Sequence, residues 1–387
     1  MQANMKSIYK ILLLVLATST AAGIFTACEK DDNGGTPSIT YVRITRPESS
    51  DSLLIGAGQG QLIAIVGENL GGAVAMWFND RSAQLTATYI SNKSILVSVP
   101  AEIPLEVNNT LKIRFKNGYE LLHEFEVQIS EPRIDNMVVE FVKEDDIAVI
   151  RGDFFYEPLT VTFEGGVTGE LVEVTDTEIQ VRVPAGAQPG QITIGTNFGE
   201  TKSNFWFRDN RNLLIHNDPF SGWWGSGNVV PSTDPMAING NFTRITQTIG
   251  AWGWTEWIGG REDALSTKNN LPDDAVLNPS KYVLKFEINT LKPFNGNRIK
   301  IMLGEVDNGR SPSLNWDTEP FYWEPPFDTG GKWTTVSIPF EEVTAKYATG
   351  WTIRPQGYGV KIWFHGPGAL TADLAFDNLR VVPEDLQ

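Results

Sequence analysis

The chain reads as all-β: two tandem β-sandwiches followed by a larger jelly-roll sandwich. Three observations predict this. Short runs of alternating apolar and polar residues are separated by Gly, Pro and Asn turns. One module occurs twice, with Gly67 and Gly152 standing 85 residues apart and Pro100 and Pro184 84 apart. No amphipathic helix is readable in the last part of the chain, where the apolar residues follow a period of two. A length of 387 residues gives room for roughly two or three domains.

Residues 1–27 read as an export signal. Lys6 and Lys10 supply a positive start, and Ile11 to Ala17 an apolar stretch too short to span a bilayer. Cys28 is the only cysteine, which rules out an intramolecular disulfide. Phe25-Thr26-Ala27-Cys28 resembles a bacterial lipobox, with Phe25 in place of the usual aliphatic residue, and implies lipidation of Cys28. The following Glu29-Lys30-Asp31-Asp32 resembles the surface-export signal of lipoproteins in the Bacteroidetes. Residues 28–38 then form an acidic, flexible tether by composition. The implied address is the outer face of an outer membrane, with the chain lipid-anchored and not spanning. A formal charge of −16, with no local basic cluster, argues against nucleic acid and anionic membrane surfaces as partners.

The repeated modules come next, at 39–130 and 131–209. The first holds Val66-Gly67-Glu68-Asn69-Leu70 and Ser94 to Ala101, and the second Ile150-Arg151-Gly152-Asp153-Phe154 and Glu178 to Ala185. Glycine suits a tight turn after a strand, and proline stops a strand by withholding a donor. These residues resemble the IPT/TIG family of immunoglobulin-like domains, marked by a G-x-N/D-F-like turn and a strand ending in V-P-A. The resemblance implies spacer modules. Trp77 and Trp206 are expected to pack in cores or between domains.

Composition shifts at the polar break Phe207 to Asn212. Ten of the twelve tryptophans lie beyond it, in the domain read as 210–387. Strands are predicted at Tyr282 to Ile288, Arg298 to Leu303, Trp333 to Phe340, Val360 to Phe364 and Leu374 to Val382. Tyr282, Leu284, Phe286 and Ile288 share a face, as do Ile299, Ile301 and Leu303. Val360, Ile362 and Phe364 point inward together, which puts Trp363 on the opposite face with Lys361 and His365.

The stretch from Phe220 to Arg261 carries Trp223, Trp224, Trp252, Trp254 and Trp257 among glycines, prolines and asparagines. A core strand would be aliphatic, so this composition suggests indoles on loops and strand edges. A pyranose presents an apolar C–H face that lies on an indole, and tryptophan gives large contact area at low entropy cost. If the 252–257 segment is extended, Trp252 and Trp254 share one face and Trp257 takes the other, so one set is packing. Glu256 and Arg261 are placed to bond sugar hydroxyls.

Gly331-Lys332-Trp333 through Val336-Ser337-Ile338-Pro339-Phe340, and the closing Ala372 to Val381, resemble strands of carbohydrate-binding jelly rolls. Taken with the lipobox and the tandem modules, the chain resembles a surface glycan-binding protein of a polysaccharide utilization locus, its end similar to the xyloglucan-binding domain. The resemblance implies capture of a plant β-glucan or hemicellulose, of xyloglucan or mixed-linkage type, beside a TonB-dependent SusC/SusD-like transporter complex. It also implies that aromatics near the start of the last domain form the platform. Trp316, Tyr322 and Trp323, in a Pro-interrupted loop, are second-line candidates, and Trp363 joins them by parity.

A glycoside hydrolase would need two carboxylates set about 5 Å or 6.5–9.5 Å apart, one kept protonated. Glu256, Glu262, Asp263, Glu319 and Glu324 neighbour the aromatics, but the E-x-D-x-x-E strand motif of jelly-roll β-glucanases is absent. No G-x-S-x-G or G-x-x-x-x-G-K-[ST] motif occurs, and the three histidines lack ligand spacing. No cofactor or metal is expected; Asp373, Asp377 and Asn378 offer oxygen ligands that could hold a structural Ca²⁺, but the favoured reading is an ordinary solvated strand end. A protein-binding adhesin would leave the C-terminal aromatics unexplained.

Overall fold

The computed structural model describes residues 35–46, 52–231, 237–260, 271–304, 306–307, 311–312, 320–347, 353 and 358–384. Cys28, Arg261 and Trp316 lie outside the described residues, as do Glu262, Asp263 and Glu319. The described residues up to Ile129 and those from Ser130 onward form two compact units.

In the first unit, one antiparallel sheet runs Leu53–Leu54, Ser38–Ile44, Leu62–Glu68, Ser94–Ser98. The other runs Arg81–Ala83, Ala73–Phe78, Thr110–Phe115, Glu120–Glu124. Alternate residues such as Ile63, Ile65, Phe78, Leu111 and Ile113 meet between them in a closed core. Trp77 is not part of it. Its neighbours Met76 and Phe78 face inward, so the indole stands on the outer face with Lys112 Nζ 4.6 Å and the Arg114 guanidinium 5.1 Å from its ring centre.

The second unit begins with the same sandwich: Arg133–Met137, Ile147–Asp153, Glu178–Arg182, Glu170–Val174 against Val167–Thr168, Leu159–Glu164, Gln188–Thr196, Gly199–Phe207. The repeated glycine does the same job in both sandwiches, and it is not the turn expected from sequence. A Cβ at Gly67 would stand 1.9 Å from the Ser38 carbonyl oxygen, and one at Gly152 1.8 Å from that of Arg133. Each lies against a bulge in the first strand, where only a bare backbone fits. The left-handed residue comes two positions later, at Asn69 (φ 58°) and Phe154 (φ 61°).

Two antiparallel sheets enclose the last core. The five-stranded one runs Val229–Val230, Phe242–Ile245, Leu374–Pro383, Tyr282–Thr290, Trp333–Pro339. The four-stranded one runs Trp254–Gly260, Gly359–His365, Ile299–Gly304, Phe321–Trp323. Leu284, Phe286, Ile288 and Phe376 from the first meet Ile299, Ile301, Ile362 and Phe364 from the second. Two single-turn helices, Asp273–Leu277 and Phe340–Thr344, escape a reading by periodicity because each is only five residues long.

The outer face of the five-stranded sheet is buried too, because the second sandwich rests on it. Glu140 of that sandwich lies 2.6 Å from Lys285 Nζ and 2.7 Å from Arg380 Nη2. Arg380 also donates to both oxygens of Glu287, at 2.9 and 3.0 Å. Thr335 ties the same place together: its N–H donates to Val138 O, and its hydroxyl accepts from the Glu140 N–H. Burial pulls Arg380 down, but Glu287 and Glu140 outweigh it and hold the guanidinium above its ordinary value. The polar break at 207–212 is therefore packed. Asp209 is buried against Arg211, whose guanidinium stacks 3.6 Å over Trp206. Asp377 and Asn378, expected at a solvated strand end, are buried beside this joint.

Candidate functional site

The outer side of the four-stranded sheet is the candidate site. Its inner side supplies the core, so alternation turns Trp254 and Glu256, then Lys361, Trp363 and His365, then Lys300, then Tyr322 outward. Glu256, Trp363, Lys300 and Tyr322 form one row in register across the four strands. Three inter-strand steps make that row about 14 Å long.

Trp254 is 66% exposed, with its ring centre 6.0 Å from that of Trp363 at 59°. Trp252 is 58% exposed and sits edge-on to His365 at 5.6 Å. It reaches this position from a turn: its φ is 58°, its N–H donates to Gly366 O, and the Gly253 N–H donates to Gly250 O. A bulky residue in that region is uncommon and strained, and such strain concentrates where a side chain must be presented.

Trp223 and Trp224 dock at the edge of the same sheet. Both backbone N–H groups donate to Gly259 O, and the Gly259 N–H donates back to Trp224 O. The Trp224 ring lies on Gly259, where a Cβ would come within 3.0 Å of Cε3. Trp223 is 55% exposed and meets Trp224 edge-to-face at 6.4 Å. The backbone of this glycine-flanked pair acts as a short extra strand.

Two of the expected residues face the other way. Trp257 is buried, stacked on Phe376 at 4.0 Å and edge-on to Phe286 at 5.2 Å. It is the extra residue of a bulge between Glu256 and Ile258, which turns both Trp257 and Ile258 inward. Trp323 packs against the core through Phe286, Phe294 and Phe327, while its neighbour Tyr322 faces outward.

Polar groups lie between the rings. Lys361 Nζ is 5.1 Å from the Trp224 ring centre and 4.8 Å from that of Trp363. Burial lowers the Lys361 pKa and raises that of Glu256, and each opposes the other's shift by its charge. Arg298 stacks 3.7 Å over Tyr322, lies 5.9 Å from Trp252, donates from Nε to His365 O and pairs with Glu324 at 3.4 Å. Parity signals Lys300, Lys361 and His365 as outward residues, but nothing in the sequence signals Arg298, which reaches Tyr322 across strands distant in the chain. Among the described residues no three His, Cys, Asp or Glu side chains are gathered as a metal site. Nor is any helix among them long and apolar enough to cross a membrane.

This arrangement of exposed flat rings with hydrogen-bonding groups between them can stack on sugar faces and bond their hydroxyls. Residues 207–383 match the family described as the surface glycan-binding protein B xyloglucan binding domain. That match covers the last domain and a little under half of the chain. An IPT/TIG domain-containing protein of Bacteroides ovatus is 30% identical over 167 residues, which cover 40% of this chain and 33% of the relative. The chain thus spans about a third of the length of that curated relative. Among solved structures, the surface glycan-binding protein PbSGBP-B from Prevotella bryantii is 23% identical, with a TM-score of 0.66 over 90% of this chain and 99% of that one. An SGBP-B from a complex xyloglucan utilization locus in Bacteroides uniformis is 20% identical, with a TM-score of 0.49 over 90% of this chain and 100% of its own. The likeness to PbSGBP-B establishes a shared fold.

Proposed function

We propose that this chain is a non-catalytic, cell-surface glycan-binding protein that holds a plant β-glucan or hemicellulose, of xyloglucan or mixed-linkage type, on the outer face of its last domain. The observation that carries the reading is the exposure of Trp252 and Trp254 beside Trp363, on a sheet whose other side already fills the core. Large exposed indoles have no part in the packing and are costly to leave wet unless a ligand uses them. Trp223 and Trp224 extend the same platform, and Glu256 bonds hydroxyls. The outward placement of Tyr322 supports a place for it at the far end of the row. Arg261 and Trp316 complete the proposed set from outside the described residues.

In this reading residues 1–27 are removed, Cys28 carries the lipid, residues 28–38 are the tether, and the sandwiches at 39–130 and 131–209 hold the 210–387 domain away from the outer membrane. A SusC/SusD-like transporter would take the captured chain. Affinity is modest, since an open face buries little area and the glycan must be ordered on binding.

Retardation in a native gel containing xyloglucan or mixed-linkage glucan tests the reading. Retardation without release of reducing ends is expected, and Trp254→Ala should weaken binding by about 2 kcal/mol or more, as for a central aromatic anchor. Unretarded migration against a panel of β-glucans, or unchanged binding by Trp252→Ala, Trp254→Ala and Trp223→Ala alike, would sink it. Reducing-end release would replace it with hydrolysis.

A further inference from the structure

We propose that Lys361 is a positioning residue that sets the angle between the two halves of the aromatic platform. Its ammonium lies near both the Trp224 and the Trp363 ring and fixes one relative to the other, with Glu256 as the nearby opposite charge. The inference rests on the glycan-binding reading above.

The two indoles come from unrelated parts of the chain. Trp363 stands on the second strand of the sheet, whereas Trp224 belongs to a segment docked beyond the first. Backbone bonds to Gly259 fix the Trp224 main chain and one side of its ring rests on that glycine, while Lys361 Nζ meets the ring at 5.1 Å. Lys361 is two residues before Trp363 on the same outward side, and its Nζ lies near both ring centres, at 5.1 and 4.8 Å. It is only 9% exposed, so its charge meets the rings with little competing water, the condition in which a cation–ring contact is strongest. A charge buried this far needs an opposite one, and Glu256 faces outward on the adjacent strand, in register with Trp363. Rings held at a fixed angle before the glycan arrives reduce the ordering cost of binding, and that cost is what limits affinity on an open face.

Calorimetric titration of the full chain with xyloglucan tests the proposal, using Lys361→Met, Lys361→Arg, Trp224→Ala, Trp254→Ala and the double variant of Lys361→Met with Trp224→Ala. Methionine keeps the length and apolar stem, while arginine keeps the charge. Lys361→Met should bind about tenfold more weakly, equal to about 1.4 kcal/mol, with an unchanged thermal midpoint. Lys361→Arg should stay within about threefold of the parent, since guanidinium also lies well over indoles. In the Trp224→Ala background, Lys361→Met should cost less than about threefold, because the ring through which it acts is gone. If Lys361→Met does not fold, Lys361→Gln takes its place in the cycle.

Parent-like binding by the uncharged variant, or losses that simply multiply in the double variant, would overturn the proposal. If Trp254→Ala abolishes binding while Lys361→Met changes nothing, the positioning role falls and the platform stands. If the parent chain binds neither xyloglucan nor mixed-linkage glucan, both fall together.

Discussion

Removing the Glu140 carboxylate is the most demanding test of the joint between the second sandwich and the last domain. Four charges meet there, two of each sign: Glu140, Glu287, Lys285 and Arg380. Glu140→Ala takes away the carboxylate 2.6 Å from Lys285 and leaves Arg380 with Glu287 alone. One positive charge is then uncompensated in a place where Arg380 is fully buried and Lys285 nearly so. Breaking a buried pair from one side costs about 3–5 kcal/mol. For a unit of this size that corresponds to a fall in thermal midpoint of about 10 °C.

The control is Glu170→Ala, which removes a partner of Arg182 from an exposed pair and should cost less than about 1 kcal/mol. Denaturant unfolding of the full chain, followed by tryptophan fluorescence, compares the two. Glu140→Leu combined with Lys285→Met deletes one charge of each sign and should recover most of the loss, because well-packed apolar replacements of buried pairs are near neutral. A loss under about 1 kcal/mol for Glu140→Ala would mean that water reaches the joint and that these charges are not buried there.

Three further outcomes are expected. Trp257→Ala should cost about 3–5 kcal/mol of stability, whereas Trp254→Ala should stay within about 0.5 kcal/mol. Comparable denaturation midpoints for the two would contradict the inside–outside assignment. Burial raises the Asp377 carboxyl well above its usual range, ahead of the opposing bonds from Asn217 and Asn378. Its contribution is therefore complete below the unfolded carboxylate value near 3.9 and is lost as pH rises through the raised folded value. Asp377→Asn should gain stability over the parent as pH climbs from about 4 to 8, and parallel pH profiles would contradict this. Gly152→Ala should destabilise the second sandwich by at least about 2 kcal/mol, since its Cβ would meet the Arg133 carbonyl oxygen at 1.8 Å. A neutral effect in thermal denaturation would count against the close-approach explanation.

The strands of the last domain were legible because their apolar residues alternate cleanly: Leu284, Phe286 and Ile288 sit where parity puts them, and so do Val360, Ile362 and Phe364. The repeat was legible in register, yet the reason for its glycine was not. Close approach of a distant carbonyl leaves no local mark that separates it from a tight turn. In the aromatic face, parity separated Trp254 from Trp257, because an odd spacing reverses the side on a strand. It could not sort Trp323 from Tyr322 in a segment interrupted by prolines. Trp252 is presented from a left-handed turn and not from an extended segment, so its exposure has a different cause from the one inferred. The joint was not legible for a thermodynamic reason: polar residues between domains suggest solvent, whereas Asp209 is buried against Arg211 and Glu140 against Arg380, each pair compensating its own charges.

The bulge at Trp257 has an evolutionary corollary. Glu256 is opposite Trp363 and Ile258 opposite Ile362, so the ladder closes seamlessly on either side of the intervening tryptophan. A lineage that dropped this one codon would keep Trp254 and Glu256 aimed outward and Ile258 aimed at the interior. The hydrophobic filling can thus be thinned or thickened by a whole side chain while the outer face stays put, so the durability of the domain and the chemistry of that face can be tuned by selection separately.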